Sequence, residues 1–306
     1  MHQNTNIMIM KRNNFTADRL RSYSSAFSRN VFSDLASFAD FSHLDWLFKE
    51  YDQDMSEDNT YLDYLSHIYA CLSRFYRCEY VYKNEIINQL LLKKYGTQQT
   101  VAFNEFKVGN SIVDLAMMNG ESKAFEIKTS LDSPRRLDKQ LDDYMRIFNK
   151  SYIVIDANEL NYYETRIDDT TGIITLSHKN GKITLKEYRK AIKRDNLDTD
   201  TLMSCLRTRE YQNIVVSYFG QLPAVPMYEM YDACKTLIQQ IPTQELNKLY
   251  LTEVKKRRNV TAQLKDIPME LRQMILCLNL PKNKQKSLIN TLNEPIKRTR
   301  LCIARI

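Results

Sequence analysis

Residues 111–130, "SIVDLAMMNGESKAFEIKTS", decide how this chain is read: two apolar runs flank a glycine, and each carries charge at alternate positions. Along "SIVDLAMM" Val113, Leu115 and Met117 are apolar, and along "KAFEIKT" Phe125 and Ile127 match them, which is the period of strands with one face in a core. Asp114, Glu126 and Lys128 must then share the other face. A two-residue Asn119-Gly120 turn would throw Val113 and Phe125 onto opposite faces. A three-residue loop, Met118-Asn119-Gly120, keeps them together, with Gly120 in the left-handed position. That register sets Asp114 opposite Ala124 and Glu126 one diagonal away, near enough for both carboxylates to touch one cation.

Outward from the hairpin, residues 82–95 read as a helix stopped by Gly96. Three strands are expected at 100–107, 111–117 and 123–129. Ser133 then serves as N-cap, with Pro134 at the first helical position and Leu137, Leu141, Tyr144 and Phe148 along one helical face. "SYIVID" follows as a buried strand, so the helix before it makes a crossover that lays residues 152–155 parallel to a neighbour. Asn180-Gly181 signals a further hairpin. Apolar spacing is helical from about 16 to 77, with "DQDMSEDNT" as a loop between helices, and again from about 198 onward. The expectation is a helical N-terminal region (1–80), an α/β core (81–195) and a helical C-terminal region (196–306).

Composition narrows the chemistry. With 43% apolar and 26% charged residues, and only 6 Gly and 7 Pro, the 306 residues are those of an ordered, helix-rich protein, and disorder is excluded. The opening "MHQNTNIMIMKRNN" has too short an apolar run for a signal peptide, and no run approaches the roughly 20 apolar residues of a membrane span, so a cytoplasmic protein without membrane contact is expected. Six scattered cysteines form no CxxC, and four histidines (His2, His43, His67, His178) show no metal spacing, so a metal site here would be oxygen-rich. A net charge of +7 attracts polyanions without identifying one.

Two carboxylates on one strand face repel unless a cation or a lysine neutralises them, and Lys128 stands two residues from Glu126. Hard oxygen ligands suit magnesium or manganese. The plain alternative is a surface ion pair on a solvated sheet face. Against it stands the crossover helix, which would bury isolated carboxylates at a cost.

The stretch resembles the bipartite D…ExK signature of the PD-(D/E)XK nuclease superfamily, with Asp114 as the D and Glu126-Ile127-Lys128 as ExK. The element order is similar to that superfamily's restriction-endonuclease-like αβββαβ core with a mixed sheet, here flanked by N- and C-terminal helical regions, as in compact bacterial and phage members. The resemblance implies a metal-dependent nuclease. It implies Mg2+ or Mn2+ on Asp114 and Glu126 with Glu85 from the preceding helix, and water assistance from Lys128. It also implies a site-facing Q-x-x-x-Y pair, Gln140 and Tyr144. Val113 stands where the name-giving proline would be. Arg135, Arg136 and Lys139, with Tyr144, are the candidates for nucleic-acid contact. The expected partner is nucleic acid, DNA first, with a homodimer compatible. A nucleic-acid-binding module without catalysis and an RNA-directed nuclease are the rivals, together with an interaction protein that displays an apolar patch on its helical flanks.

Overall fold

The computed structural model describes residues 15–56, 58–130, 132–179 and 182–296. The chain is α/β and divides into two compact units, one built from Met1–Asn84 with Ile267–Ile306, the other from Glu85–Asp266.

The first unit is helical. Its helices are α1 (Ala17–Ser25), α2 (Arg29–Phe38), α3 (Ser42–Tyr51), α4 (Tyr61–Phe75) and α5 (Glu79–Glu85), the last ending at the unit's border. Thr16 and Ser28 cap α1 and α2 through their hydroxyls. Thr60 and Asp63 form a capping box, each side chain bonding the other's backbone N–H (2.9 and 3.1 Å). Residues 267–296 join these helices: Tyr61 N–H donates to Glu294 O (3.3 Å) and Ile296 N–H to Asn59 O (3.0 Å). The first unit is thus discontinuous in sequence, and pairing across some 230 residues of chain leaves no trace in local periodicity.

In the second unit, α5 continues without a break as a π-helix, Ile86–Tyr95, closed by Gly96 at φ +74°. Strands β1 (Val101–Val108), β2 (Ser111–Met118), β3 (Ser122–Lys128), β4 (Lys150–Asp156), β5 (Gly172–Lys179) and β6 (Lys182–Arg189) form one mixed sheet in the order β1-β2-β3-β4-β5-β6. The β3–β4 and β4–β5 pairs are parallel, as the crossover pattern requires. The Asn180-Gly181 turn falls outside the described residues. Helix α6 (Leu137–Met145) supplies the crossover, preceded by a 3-10 turn, Pro134–Arg136, that Ser133 caps through a 3.4 Å bond from Arg135 N–H.

The register of the central hairpin corrects the expected one. Met118 pairs with Ser122 and Ala116 with Ala124, so the loop is Asn119-Gly120-Glu121, with Gly120 at φ +91°. The loop length stands, but it moves one residue along because Met118 is fully buried and stays in the strand. The partner of Asp114 shifts by two residues, which preserves every side chain's face. Nor is only one face apolar. Strand β3 is buried throughout, with Ala116, Met118, Ala124, Ile153 and Ile155 packed with Leu137, Leu141, Tyr144 and Phe148. On the other face Phe125 stacks on Tyr152 (5.4 Å between centroids), and the Lys123 ammonium lies 5.2 Å from the Tyr95 ring centroid.

The second unit also holds α7 (Leu160–Glu164), α8 (Thr199–Cys205), α9 (Thr208–Phe219), α10 (Met230–Ile238) and α11 (Thr243–Lys255). Helices α12 (Arg272–Leu278) and α13 (Lys282–Leu292) return to the first, where they pack on α2. Among the described residues the cysteines are free, and no helix is long and apolar enough to cross a membrane.

Candidate active site

Glu126 is 2% exposed, in the middle of the sheet, and both its oxygens are held. Lys128 Nζ donates to Oε1 (2.8 Å), and the Tyr144 hydroxyl donates to Oε2 (2.6 Å). A carboxylate taken out of water this far requires such partners, since its desolvation otherwise costs several kcal/mol (order of magnitude). Lys128, itself buried, also donates to Gln140 Oε1 (3.1 Å). Residues from β3 and α6 that lie 2 to 18 positions apart in sequence therefore form one connected group. Helical geometry explains the α6 contribution, because Gln140 and Tyr144 are one turn apart and project from the same face.

Asp114 enters from β2. Its Oδ2 accepts the backbone N–H of Ile127 (2.8 Å), so the carboxylate occupies the place of a strand carbonyl immediately beyond the Leu115–Phe125 pair. The opposite side of β2 is irregular at the same level. Pairing with β1 keeps one register from Asn104–Leu115 to Phe106–Val113, and Glu105 between them sits at φ +55°, a left-handed conformation uncommon for a non-glycine residue.

Burial first, then the charges of Glu126 and Asp114, push the Tyr144 phenol well above its ordinary pKa, opposed by the Gln140 bond. Tyr144 is therefore a neutral donor at every physiological pH. Its hydroxyl also lies 2.8 Å from Ile112 O, and its single proton serves one acceptor at a time. Ser111 Oγ donates to Asp143 Oδ2 (2.6 Å), fastening α6 to the start of β2 one residue before Tyr144. Sequence reading missed this fastening; its trace is that Asp143 stands three positions after Gln140, on nearly the same helical face. Tyr144→Phe is expected to cost about 1–3 kcal/mol, the usual effect of leaving a buried acceptor short of a donor. Urea unfolding reads it, and stability equal to wild type would show that Glu126 does not depend on the phenol.

The remaining candidates are placed as follows. Arg135, Arg136 and Lys139 are all exposed at the start of α6. Glu85 is buried at the α5–π-helix junction, where Gln89 Nε2 donates to its Oε2 (2.6 Å) and Asn88 Nδ2 to its Oε1 (3.5 Å). Gln89 is in turn stapled to β6, donating to Ile183 O (3.1 Å) and accepting from Leu185 N–H (3.0 Å). Among the described residues, no three His, Cys, Asp or Glu side chains gather in a group able to hold a metal. Glu85, the expected third ligand, thus sits on a helix anchored to β6 through Gln89.

The chain is similar to known proteins over part of its length. It is 25% identical over 174 residues to Protein cII of Enterobacteria phage P4, an alignment that takes in 56% of this chain and 65% of that relative, just under two thirds of its length. A solved structure, a protein of unknown function from Silicibacter pomeroyi, is 14% identical, with 48% of this chain and 94% of that one covered at a TM-score of 0.30. The family model described as bacteriophage P4 protein cII matches residues 73–297, and the chain belongs to that family.

Proposed function

We propose that the chain is a divalent-cation-dependent nuclease of the PD-(D/E)XK type that hydrolyses phosphodiester bonds, DNA first. The observation that carries this reading is the meeting of Glu126, Lys128, Gln140 and Tyr144 on one sheet face, with the Asp114 carboxylate bonded to the amide next to Glu126.

The donor set fits a hard cation. Magnesium keeps several waters and commonly needs only one or two carboxylates, so Asp114 and Glu126 suffice without a third. Each Glu126 oxygen has one described partner and retains a lone pair beyond it. Bound there, magnesium or manganese would lower the pKa of a water and neutralise charge on a phosphoryl oxygen. The chain's own residues do the positioning. Tyr144 fixes the Glu126 carboxylate, and Gln140 keeps the Lys128 ammonium at the site when it turns from Glu126 toward the attacking water or the developing charge. Arg135, Arg136 and Lys139, all in solvent, would meet backbone phosphates.

A second reading, a nucleic-acid-binding module without catalysis, is favoured by the same network, since Lys128 and Tyr144 already satisfy Glu126 with no cation. Metal dependence separates the two. The purified chain is expected to cut at least one of supercoiled plasmid, linear duplex, single-stranded DNA and RNA with magnesium or manganese, and to cut none in EDTA. Binding without cleavage under every condition sinks the nuclease and leaves the binding module.

A further inference from the structure

Residues 179–194, "KNGKITLKEYRKAIKR", hold seven Lys and Arg against Glu187 alone, a net +6 within a chain whose whole formal charge is +7. The chain's basic excess is therefore concentrated on β6 and the residues that flank it, and the remainder is near neutrality. Part of that charge is matched locally. Arg189 donates to Thr171 O and Asp168 O and pairs with Asp169, while Lys193 pairs with Asp195 and Arg194 with Asp168. Lys179, Lys182, Lys186 and Lys190 are exposed and form no close ion pair among the described residues, with Lys190 acting on the Glu187 carboxylate by charge alone.

The strand explains how they line up. Burial along β6 alternates, so Lys182, Thr184 and Lys186 point out together, about 7 Å apart; the register with β5 then shifts between Ile173 and Ile174, and exposed Tyr188 and Lys190 stand at and beyond that bulge. Tyr188 is 44% exposed, and its hydroxyl is steadied by Glu164 Oε1 at 2.9 Å. The inward residues serve the fold: Gln89 bonds the backbone of Ile183 and Leu185, and Glu187 bonds Tyr152 and Lys94 (both 2.9 Å).

The registers also fix where this row stands relative to Lys128. Lys128 pairs with Ile155, Ile155 with Thr175, and Thr175 with Lys186, so all four share one row and one face of the sheet. Three strand spacings of about 4.8 Å put the Lys186 backbone about 14 Å from that of Lys128.

We infer that the outward face of β6 is a track for single-stranded nucleic acid, on the same side of the sheet as the Asp114–Glu126–Lys128 site. The inference rests on the nuclease reading only for what the track serves. Unmatched lysines attract phosphates, and an aromatic ring set between them offers a stacking platform that any base can use. A row one strand wide fits one nucleic-acid strand. The competing account is that edge lysines guard β6 against pairing with other chains, which needs no ligand.

The test uses the full chain in EDTA with a fluorescein-labelled oligothymidylate, read by anisotropy across a potassium chloride series. Beside wild type stand Lys182→Ala/Lys186→Ala/Lys190→Ala and a charge-matched control, Lys107→Ala/Lys248→Ala/Lys265→Ala, with circular dichroism confirming folding. The β6 variant is expected to bind at least about tenfold more weakly, with the slope of log K against log salt reduced by about 2, near 0.7 for each lost phosphate contact. Affinity and slope equal to the control, or no binding by wild type, overturns the track. The same proteins are assayed for cleavage with manganese. Cleavage by wild type beside unaltered binding by the β6 variant removes the track and keeps the nuclease. A track that behaves as expected in a chain that cuts nothing removes the nuclease and keeps the track.

Discussion

Lys128→Ala is expected to abolish cleavage, by about 100-fold or more, and to cost about 3–5 kcal/mol of stability. The second effect follows from burial. The Lys128 and Glu126 side chains are 9% and 2% exposed and 2.8 Å apart, so deleting the ammonium leaves a carboxylate in the middle of a sheet with the Tyr144 hydroxyl as its remaining described side-chain donor. Breaking such a pair costs far more than replacing it whole, because the penalty is the uncompensated charge. Glu126→Gln/Lys128→Met, which removes both charges and keeps the volume, should therefore recover most of the stability and none of the activity. The double-mutant cycle in urea, run beside cleavage of single-stranded and duplex substrates, separates a structural pair from a catalytic one. If Lys128→Ala unfolds at the wild-type urea concentration, the pair is not an intact buried one. If the double variant still cuts, neither residue is part of the chemistry.

Much of this centre was legible in the sequence because its information is local. The alternation that put Asp114, Glu126 and Lys128 on one face survives the two-residue register shift, since a strand's period is two. The i, i+4 spacing of Gln140 and Tyr144 likewise predicted a shared helical face, and both now contact the β3 charges. What escaped is non-local. Whether Met118 belongs to the loop or the strand depends on the core it fills, which the turn sequence does not encode. Glu85 is bonded by Gln89, whose attachment to β6 spans some 90 residues of chain and has no local trace. The β6 lysines read as one part of a modest net charge until the strand's alternation aligned them.

Asp52 shows the same limit at its sharpest, and its removal is expected to be among the most damaging single changes in the first unit. The sequence places it at the head of a polar loop, yet it is 7% exposed. It accepts from Arg19 (2.6 Å), the Tyr23 hydroxyl (2.7 Å to Oδ2) and the Tyr64 hydroxyl (2.8 Å), with His67 Nε2 at 3.7 Å. Asp52→Ala takes the carboxylate from two buried phenols and from a guanidinium that keeps the Tyr23 hydroxyl as an acceptor, for about 3–5 kcal/mol. The network also imposes a pH limit whose sign is fixed. Burial first, then the Asp52 charge and hydrogen bonds, raise both the Tyr23 and Tyr64 phenols well above their ordinary value of 10.0. Below pH 10 the phenols are protonated in folded and unfolded chains alike, and their contribution is fully present. Above pH 10 the unfolded chain releases protons that the folded chain keeps, so stability falls by about 1.4 kcal/mol per pH unit for each phenol. Urea unfolding between pH 8 and 11 should show that decline, and Tyr64→Phe should make it shallower by one phenol's share. A Tyr64→Phe slope equal to wild type would mean that this phenol ionises as readily in the folded chain as in the unfolded one, and that Asp52 is not the closed hub of the helical unit.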